Sequence, residues 1–545
     1  MKAKQKIALL CAATIVAGSG FGACSSDVEA IDKKKTQLYI ANYEAGLGSR
    51  WLDDYEAAFE KAYAGESFET GKKGVQVIVS KDKSMYTGDA LYNNESMTTG
   101  DINLYFCDNV DVYKFQQEGW LADITDVVKE TLPGEAKTIE DKLSADQKAG
   151  YQVEGKYYAL PHYESYKGIV YDVDLFDERG YYFDGDGEIL GVPLTEETIL
   201  SAGPDGKENT LDDGLPATYE QFFALCKFIK NDGVYPIIWT GQYRDSYTQS
   251  LLEALAADYE GVAGSKVRYA LSETPADASI VTGFDGNGKP IVETKAVSQS
   301  NYEELYKLAG TYYSMSFLES ILKGNYYHSY SFSDVHSHEM TQYLFLYSRY
   351  DSAIVDKPIA MMLEGTWWEE EASSTFKEMA ENYDGAGRTD RRFGLMTLPK
   401  VDESKIGQTT LIGGSSEMVV NKASSAAQLK AAKAFIKFIS TDENLRKFHT
   451  MTGVGRAYSY ELTSLDLDML SYSALQLYDN KKSATIAYSD LLSPQISGWY
   501  AANKSKLWLY RARKGNSIYY NAIFGLDAGL SAREYFEAVV NYNKK

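Results

Sequence analysis

The residues best placed to do chemistry in this chain are carboxylates on glycine-rich turns. The stretch Phe183-Asp184-Gly185-Asp186-Gly187-Glu188 is followed by a second, from Gly203 to Gly214, that holds Asp205, Asn209, Asp212 and Asp213. Oxygens spaced this way can surround a hard cation, and Ca²⁺ accepts about six to eight of them. Asp, Asn and Gly are also ordinary turn formers, so a solvated loop is the competing reading. The first stretch lacks a glutamate at its twelfth position, which leaves the second as the candidate metal site, for a structural Ca²⁺. No other cofactor is required. His336 and His338 would share a strand face, but with five histidines in the whole chain they complete no ligand set. No carboxylate pair is framed as the acid and nucleophile of a glycosidase, and no Gly-x-Ser-x-Gly elbow occurs. The phosphate-loop spacing appears from Gly150 to Lys156 and from Gly283 to Lys289. Tyr157 and Pro290 then stand where a Mg²⁺-holding Ser or Thr is needed. These residues point to binding rather than turnover.

The amino terminus states where the chain works. Met1 to Lys6 is basic, Ile7 to Ala17 is apolar, and Gly18 to Ala23 is small and flexible up to Cys24. An apolar run of about eleven residues is far short of the ~20 that cross a bilayer, and the three parts together read as a secretory signal peptide. Gly22-Ala23-Cys24 resembles the bacterial lipobox, with Phe21 where Leu is usual. That implies cleavage after residue 23, lipidation of Cys24 and a flexible tether over residues 24–35. Two acyl chains on Cys24 anchor stably where one does not. The expected location is the cell surface, on the outer face of the cytoplasmic membrane. A net charge of −22 argues against nucleic acid as a partner. Cys107 and Cys226 remain in the mature chain, singly buried or paired.

The elements that must position a site alternate in type. Gln37 to Ala41, Val75 to Val79 and Ile102 to Phe106 read as strands. Trp51, Leu52, Tyr55, Ala58 and Phe59 recur with helical spacing. The grammar returns late, with a strand at Glu417 to Val420 and an amphipathic helix from Ala426 to Ser440. Strands alternating with helices indicate an α/β fold. A mature length of roughly 520 residues asks for two or more lobes. The 44 tyrosines suit a surface that grips polar ligands, each ring giving flat area and a hydroxyl together.

Several stretches carry a family resemblance in order. Gly119-Trp120-Leu121-Ala122-Asp123-Ile124-Thr125, Tyr157 to Pro161, Gly168 to Phe176, and Pro216-Ala217-Thr218-Tyr219-Glu220 are four of them. Lys357 to Trp367 and Phe393 to Pro399 complete the set. Together they resemble the extracellular solute-binding proteins of the sugar-binding class, the maltose-binding-protein-like family 1. The departures are the acidic insertion and the segment from Gly261 to Val297.

The resemblance implies a two-lobe periplasmic-binding-protein fold with a hinge and an interlobe ligand cleft. Lobe one would take residues 36–158 and 409–461, and lobe two residues 160–404 and 465–545. It implies a monomer, not an enzyme, that delivers a carbohydrate, an oligosaccharide, to the permease subunits of an ABC transporter. A surface glycoside hydrolase and a non-transport sugar sensor or adhesin are the alternatives. By position in the family's segments, Trp367, Trp239 and Trp499 or Tyr500 are the expected stacking platforms. The remaining expected ligand contacts are Trp51, Asp108, His162, Glu164, Glu364, Ser415 and Arg456.

Overall fold

The computed structural model describes residues 30–543 apart from 45, 83, 94–95, 490–493 and 504–506. The expected signal peptide and Cys24 lie outside the described residues. The chain starts as Thr36–Tyr43 (β1), whose Leu38 and Ile40 are fully buried. The helix Arg50–Ala62 (α1) follows and buries Trp51, Leu52, Tyr55 and Phe59 along one stripe. Val75–Asp82 (β2) and Leu104–Asp108 (β3) then flank β1, both parallel to it. Parallel neighbours need a crossover, which α1 supplies between β1 and β2. Ala159–Ser165 (β4) ends the first passage through this sheet.

One residue later the chain is in a second sheet. Lys167–Asp172 (β5) and Tyr235–Ile238 (β6) open it. A long helix, Arg244–Tyr269 (α2), then leads to the hairpin Ala276–Phe284 (β7) and Pro290–Val297 (β8). Gly261 breaks α2 with a φ of 70, a backbone state that side chains resist. The helix His338–Tyr347 (α3) precedes Ile359–Gly365 (β9), a strand buried along its whole length. The short helix Trp368–Glu371 (α4) and Phe393–Leu395 (β10) complete this part, giving the order β10-β5-β9-β6. The return strand Thr410–Val420 (β11) inserts antiparallel between β3 and β4. Helix Ala426–Ile439 (α5) covers the first sheet with Phe435, Ile436 and Ile439.

The carboxyl-terminal segment does not stay in one lobe. Tyr472–Ser483 (α6) packs beside the second sheet, where Gln476 bonds to the Tyr171 hydroxyl. Thr485–Tyr488 (β12) then pairs parallel with Thr410 to Gly413 of β11, extending the first sheet. The hairpin, the second half of α2 and the terminal helices build two further apolar cores of their own. The Gly261–Val297 segment, expected to depart from the family, is tied in by the buried pair Arg268–Glu260 at 2.7 Å.

Cys107 and Cys226 are free and buried in different cores, which settles their state as unpaired. Among the described residues, no helix is long and apolar enough to cross a membrane.

Two crossings join the sheets side by side. The step from β4 to β5 runs antiparallel to β11, with Ser165 opposite Gly414. A buried clamp holds the second crossing to α2. Lys400 Nζ lies 2.8 Å from both Asp258 oxygens, and Asp258 also accepts from the Thr410 amide at 3.1 Å.

Candidate ligand-binding cleft

Between the sheets lies a cleft of about 480 Å³. Tyr43 and Glu44 come from the end of β1, Gly46 from its loop, and Asp108 and Asn109 from the end of β3. Because β1 and β3 are parallel, their carboxyl ends reach the same edge, where open α/β sheets hold ligands. The crossings contribute Tyr163, Ser165, Lys167, Gly414 and Ser416. The far wall is Tyr243 and Tyr247 at the start of α2, His338 at the start of α3, and Trp367 with Glu371 around α4.

Trp367 is placed by its neighbours. Strand β9 ends at Gly365, and Thr366 is tied to Tyr166 through a backbone bond of 2.9 Å. The next two residues are both tryptophans at the start of α4, and successive helical positions point about 100° apart. Trp368 takes the core, edge-on to Phe393, while Trp367 is left half-buried in the cleft. Its ring reaches across to the first lobe. A Cβ built on Gly46 would sit 2.0 Å from Trp367 Cδ1, so only a bare backbone fits there. Lys167 Nζ stands 5.8 Å from the ring centre.

The polar groups are held in place rather than dangling. His338 Nε2 is 3.2 Å from Glu371, and hydrogen bonding to that carboxylate lifts the imidazole above its ordinary range. Gln342 donates to the other Glu371 oxygen at 2.7 Å. Ser49 donates to Glu44 at 3.0 Å, and Tyr163 bonds to Asp108. At the cleft's outer edge, Glu370 joins Arg50 of the first lobe to Arg388 of the second, both at 2.8 Å. The result is a cavity of five aromatic side chains and fixed hydrogen-bonding groups drawn from both sheets.

Of the expected contacts, Trp367 and Asp108 line this cleft, and Glu364 lies in a smaller chamber beside it. Ser415 is on β11 between the lining residues Gly414 and Ser416, and its side chain is outside the described set. The other expectations are corrected. Trp239 is fully buried in the second sheet's core against Tyr327 and Phe332. Trp499 and Tyr500, on the helix Pro494–Asn503 (α7), pack on the hairpin's core, with Trp499 edge-on to Tyr302. Trp51 is a core residue of the first lobe. Arg456 is buried with it, its guanidinium 4.1 Å from the Phe448 ring and its Nη1 2.7 Å from His162 Nδ1. Burial, and then that cation, push His162 well below its usual range, so the ring is neutral. Glu164 pairs with Lys481 and accepts from Tyr488 at 3.1 Å, which makes it a hinge residue and not a cleft residue.

The acidic loop does not gather its oxygens around a vacancy. Asp213 accepts from the amides of Asn209 at 2.7 Å and Thr210 at 3.2 Å. Asp212 accepts from the Thr210 hydroxyl at 2.6 Å and the Asp205 amide at 3.2 Å. Asp205 caps the Lys207 amide. The loop thus satisfies its own carboxylates, as Asx turns do. Among the described residues, no group of three or more His, Cys, Asp or Glu is arranged to hold a metal. Burial raises the Asp212 carboxyl to about 6.

Among the residues not anticipated are Tyr43, Tyr243, Tyr247, Lys167, His338 and Glu371. Tyr243 and Tyr247 carried a readable signal, since residues four apart share a helix face just after a strand's end. Lys167 and Glu371 carried none.

The sequence profile described as "bacterial extracellular solute-binding protein" matches residues 57–304 and 340–458. The chain belongs to that family. The family binds and does not turn over its solute, which removes the glycoside-hydrolase alternative. Among curated proteins no match is found. Solved structures of similar fold include a chitin oligosaccharide binding protein, at 14% identity and a TM-score of 0.56, covering 93% of this chain and 98% of that one. Another is the cyclic alpha-maltosyl-1,6-maltose binding protein from Arthrobacter globiformis, at 12%, 0.52, and 93% and 97% coverage. A third is maltose-bound T. maritima MalE3, at 12%, 0.53, and 93% and 98%. These likenesses show the two-lobe fold; the family match shows solute binding.

Proposed function

We propose that the protein captures a neutral carbohydrate, an oligosaccharide, between its lobes and hands it to an ABC permease. The observation that carries this reading is the cleft's lining. Trp367 and four tyrosines offer flat apolar faces, while Asp108, Glu371, His338 and backbone at Gly46 and Gly414 offer hydrogen bonds. Sugars have the matching pair of surfaces, apolar ring faces and a rim of hydroxyls. The cleft's volume falls within the roughly 300–1,000 Å³ of small-molecule sites. The similar folds carrying names of chitin-oligosaccharide and maltose binders agree with it. In this reading Cys24 is lipidated and holds the mature protein at the outer face of the cytoplasmic membrane. Closure of the hinge then reports the loaded state to the permease.

Titration of intrinsic tryptophan fluorescence with maltotriose, triacetylchitotriose and a tripeptide tests it. A saturable response to a sugar at around micromolar Kd, about 8 kcal/mol, is expected. Response to the tripeptide alone would overturn the carbohydrate assignment. In the same cells, Cys24→Ser should move the protein from the membrane fraction to the soluble one.

A further inference from the structure

Beside the cleft, and sharing Lys167, Tyr247 and Trp367 with it, is a chamber of about 80 Å³ whose wall includes Ser246, Ser250 and Glu364. Glu364 stands near the end of β9 with 3% of its surface exposed. Its two oxygens are used unequally. Oε1 accepts from the Tyr247 hydroxyl and from the Gly365 amide, each at 3.3 Å. Oε2 is buried and has no hydrogen-bond partner among the described residues. Buried polar atoms are rarely left in that state unless something outside the chain completes them.

We propose that this chamber seats one hydroxyl-bearing branch of the solute, and that Glu364 Oε2 carries a proton and donates it in a hydrogen bond to that branch. The inference rests on the carbohydrate reading above. A carboxylic acid has one donor oxygen and one acceptor oxygen, and with Oε1 already accepting twice, Oε2 is the donor. The surroundings support the neutral form. Burial comes first, then the charge of Glu371 on α4, and together they raise Glu364 to about 8 against the smaller opposing pull of the Gly365 amide, His338 on α3 and the Tyr247 hydroxyl. The remaining groups facing it are Lys167 on β5, which lines the chamber, and Tyr247 on α2, itself beside Tyr243. A ligand that closes the chamber removes water from Glu364, which penalises the ionised form further. Above about pH 8, where the free protein has lost this proton, solute and proton therefore bind together.

The sign follows from linkage. Binding that favours the protonated acid is fully present below about pH 8 and is lost above it. The test is calorimetric titration with maltotriose and triacetylchitotriose from pH 6.5 to 9.5. The wild-type Kd should rise at least tenfold between pH 7.5 and 9.5, and that of Glu364→Gln less than twofold over the same range. A ligand-free readout accompanies it. The folded chain holds this proton through the window between about 4.5 and 8 where the unfolded chain has lost it, so the acid's contribution to stability falls as pH rises through that window. Glu364→Gln should then raise the melting temperature relative to wild type more at pH 9 than at pH 5. A wild-type Kd flat with pH, or a rise retained in Glu364→Gln, overturns the seat while leaving the carbohydrate reading standing. Failure of both sugars to bind overturns the carbohydrate reading and the seat with it.

Discussion

Trp367→Ala is expected to weaken sugar binding about tenfold or more, with a small change in melting temperature. The ring is only half-buried and touches the first lobe's core from its edge, so its loss opens no enclosed cavity. Aromatic contact gives about 0.5–1.5 kcal/mol beyond area burial, and the buried area adds to it, so at least the ~1.4 kcal/mol of a tenfold change is at stake. Trp239→Ala is the opposite case. That ring is fully buried, and truncating a core aromatic costs about 3–5 kcal/mol of stability. Titration and calorimetry on both variants separate the roles. A Trp367 variant that binds normally and melts as early as the Trp239 variant would place the ring in the core.

The second large effect concerns the hinge. Asp258→Ala should destabilise the protein by about 3–5 kcal/mol, because it strands the Lys400 ammonium in a site where that side chain is 1% exposed. The Thr410 amide loses its acceptor at the same time. Replacing both partners, Asp258→Leu with Lys400→Met, should recover much of the loss, since no buried charge remains unpaired. Denaturant melts of the two single variants and the double variant give the coupling. Additive losses would show that the pair does not act as a unit.

Much of this architecture was legible from local pattern. Strand β1, helix α1 and the amphipathic α5 announce themselves through period-two and period-3.6 burial, and of the five apolar positions expected on α1 all but Ala58 are buried. The strand β3 sits two residues later than its apolar run suggested, ending at Asp108, because its pairing with β11 decides its ends. The site was harder to read. Trp367 and Trp368 are adjacent and chemically identical, and only the direction of α4 separates cleft from core. Trp239 lies in a family-like segment, yet the aromatic rings of Tyr327 and Phe332 close over it. Arg456, His162 and Glu164 sit on or beside the hinge strands, but their side chains turn to the back of the sheet. Facing is a tertiary property, and a sequence pattern does not carry it. The acidic loop is ambiguous in another way, since Asx turns and cation loops use the same residues.

The placement of β11 has a consequence in time rather than in space. It is a central strand of the first sheet, yet it arrives after the whole second sheet has been made. Asn103, just before β3, hydrogen-bonds to Ser424, 321 positions away. Until then β3 offers an open edge, and the amino-terminal part can collapse but cannot finish its sheet. Pairings this distant in sequence slow folding, because loop closure must precede the contacts that reward it. A chain that emerges from its amino end therefore stays incompletely folded until Val420 has been made. Such a delay suits a polypeptide that must thread a membrane before it takes its final form.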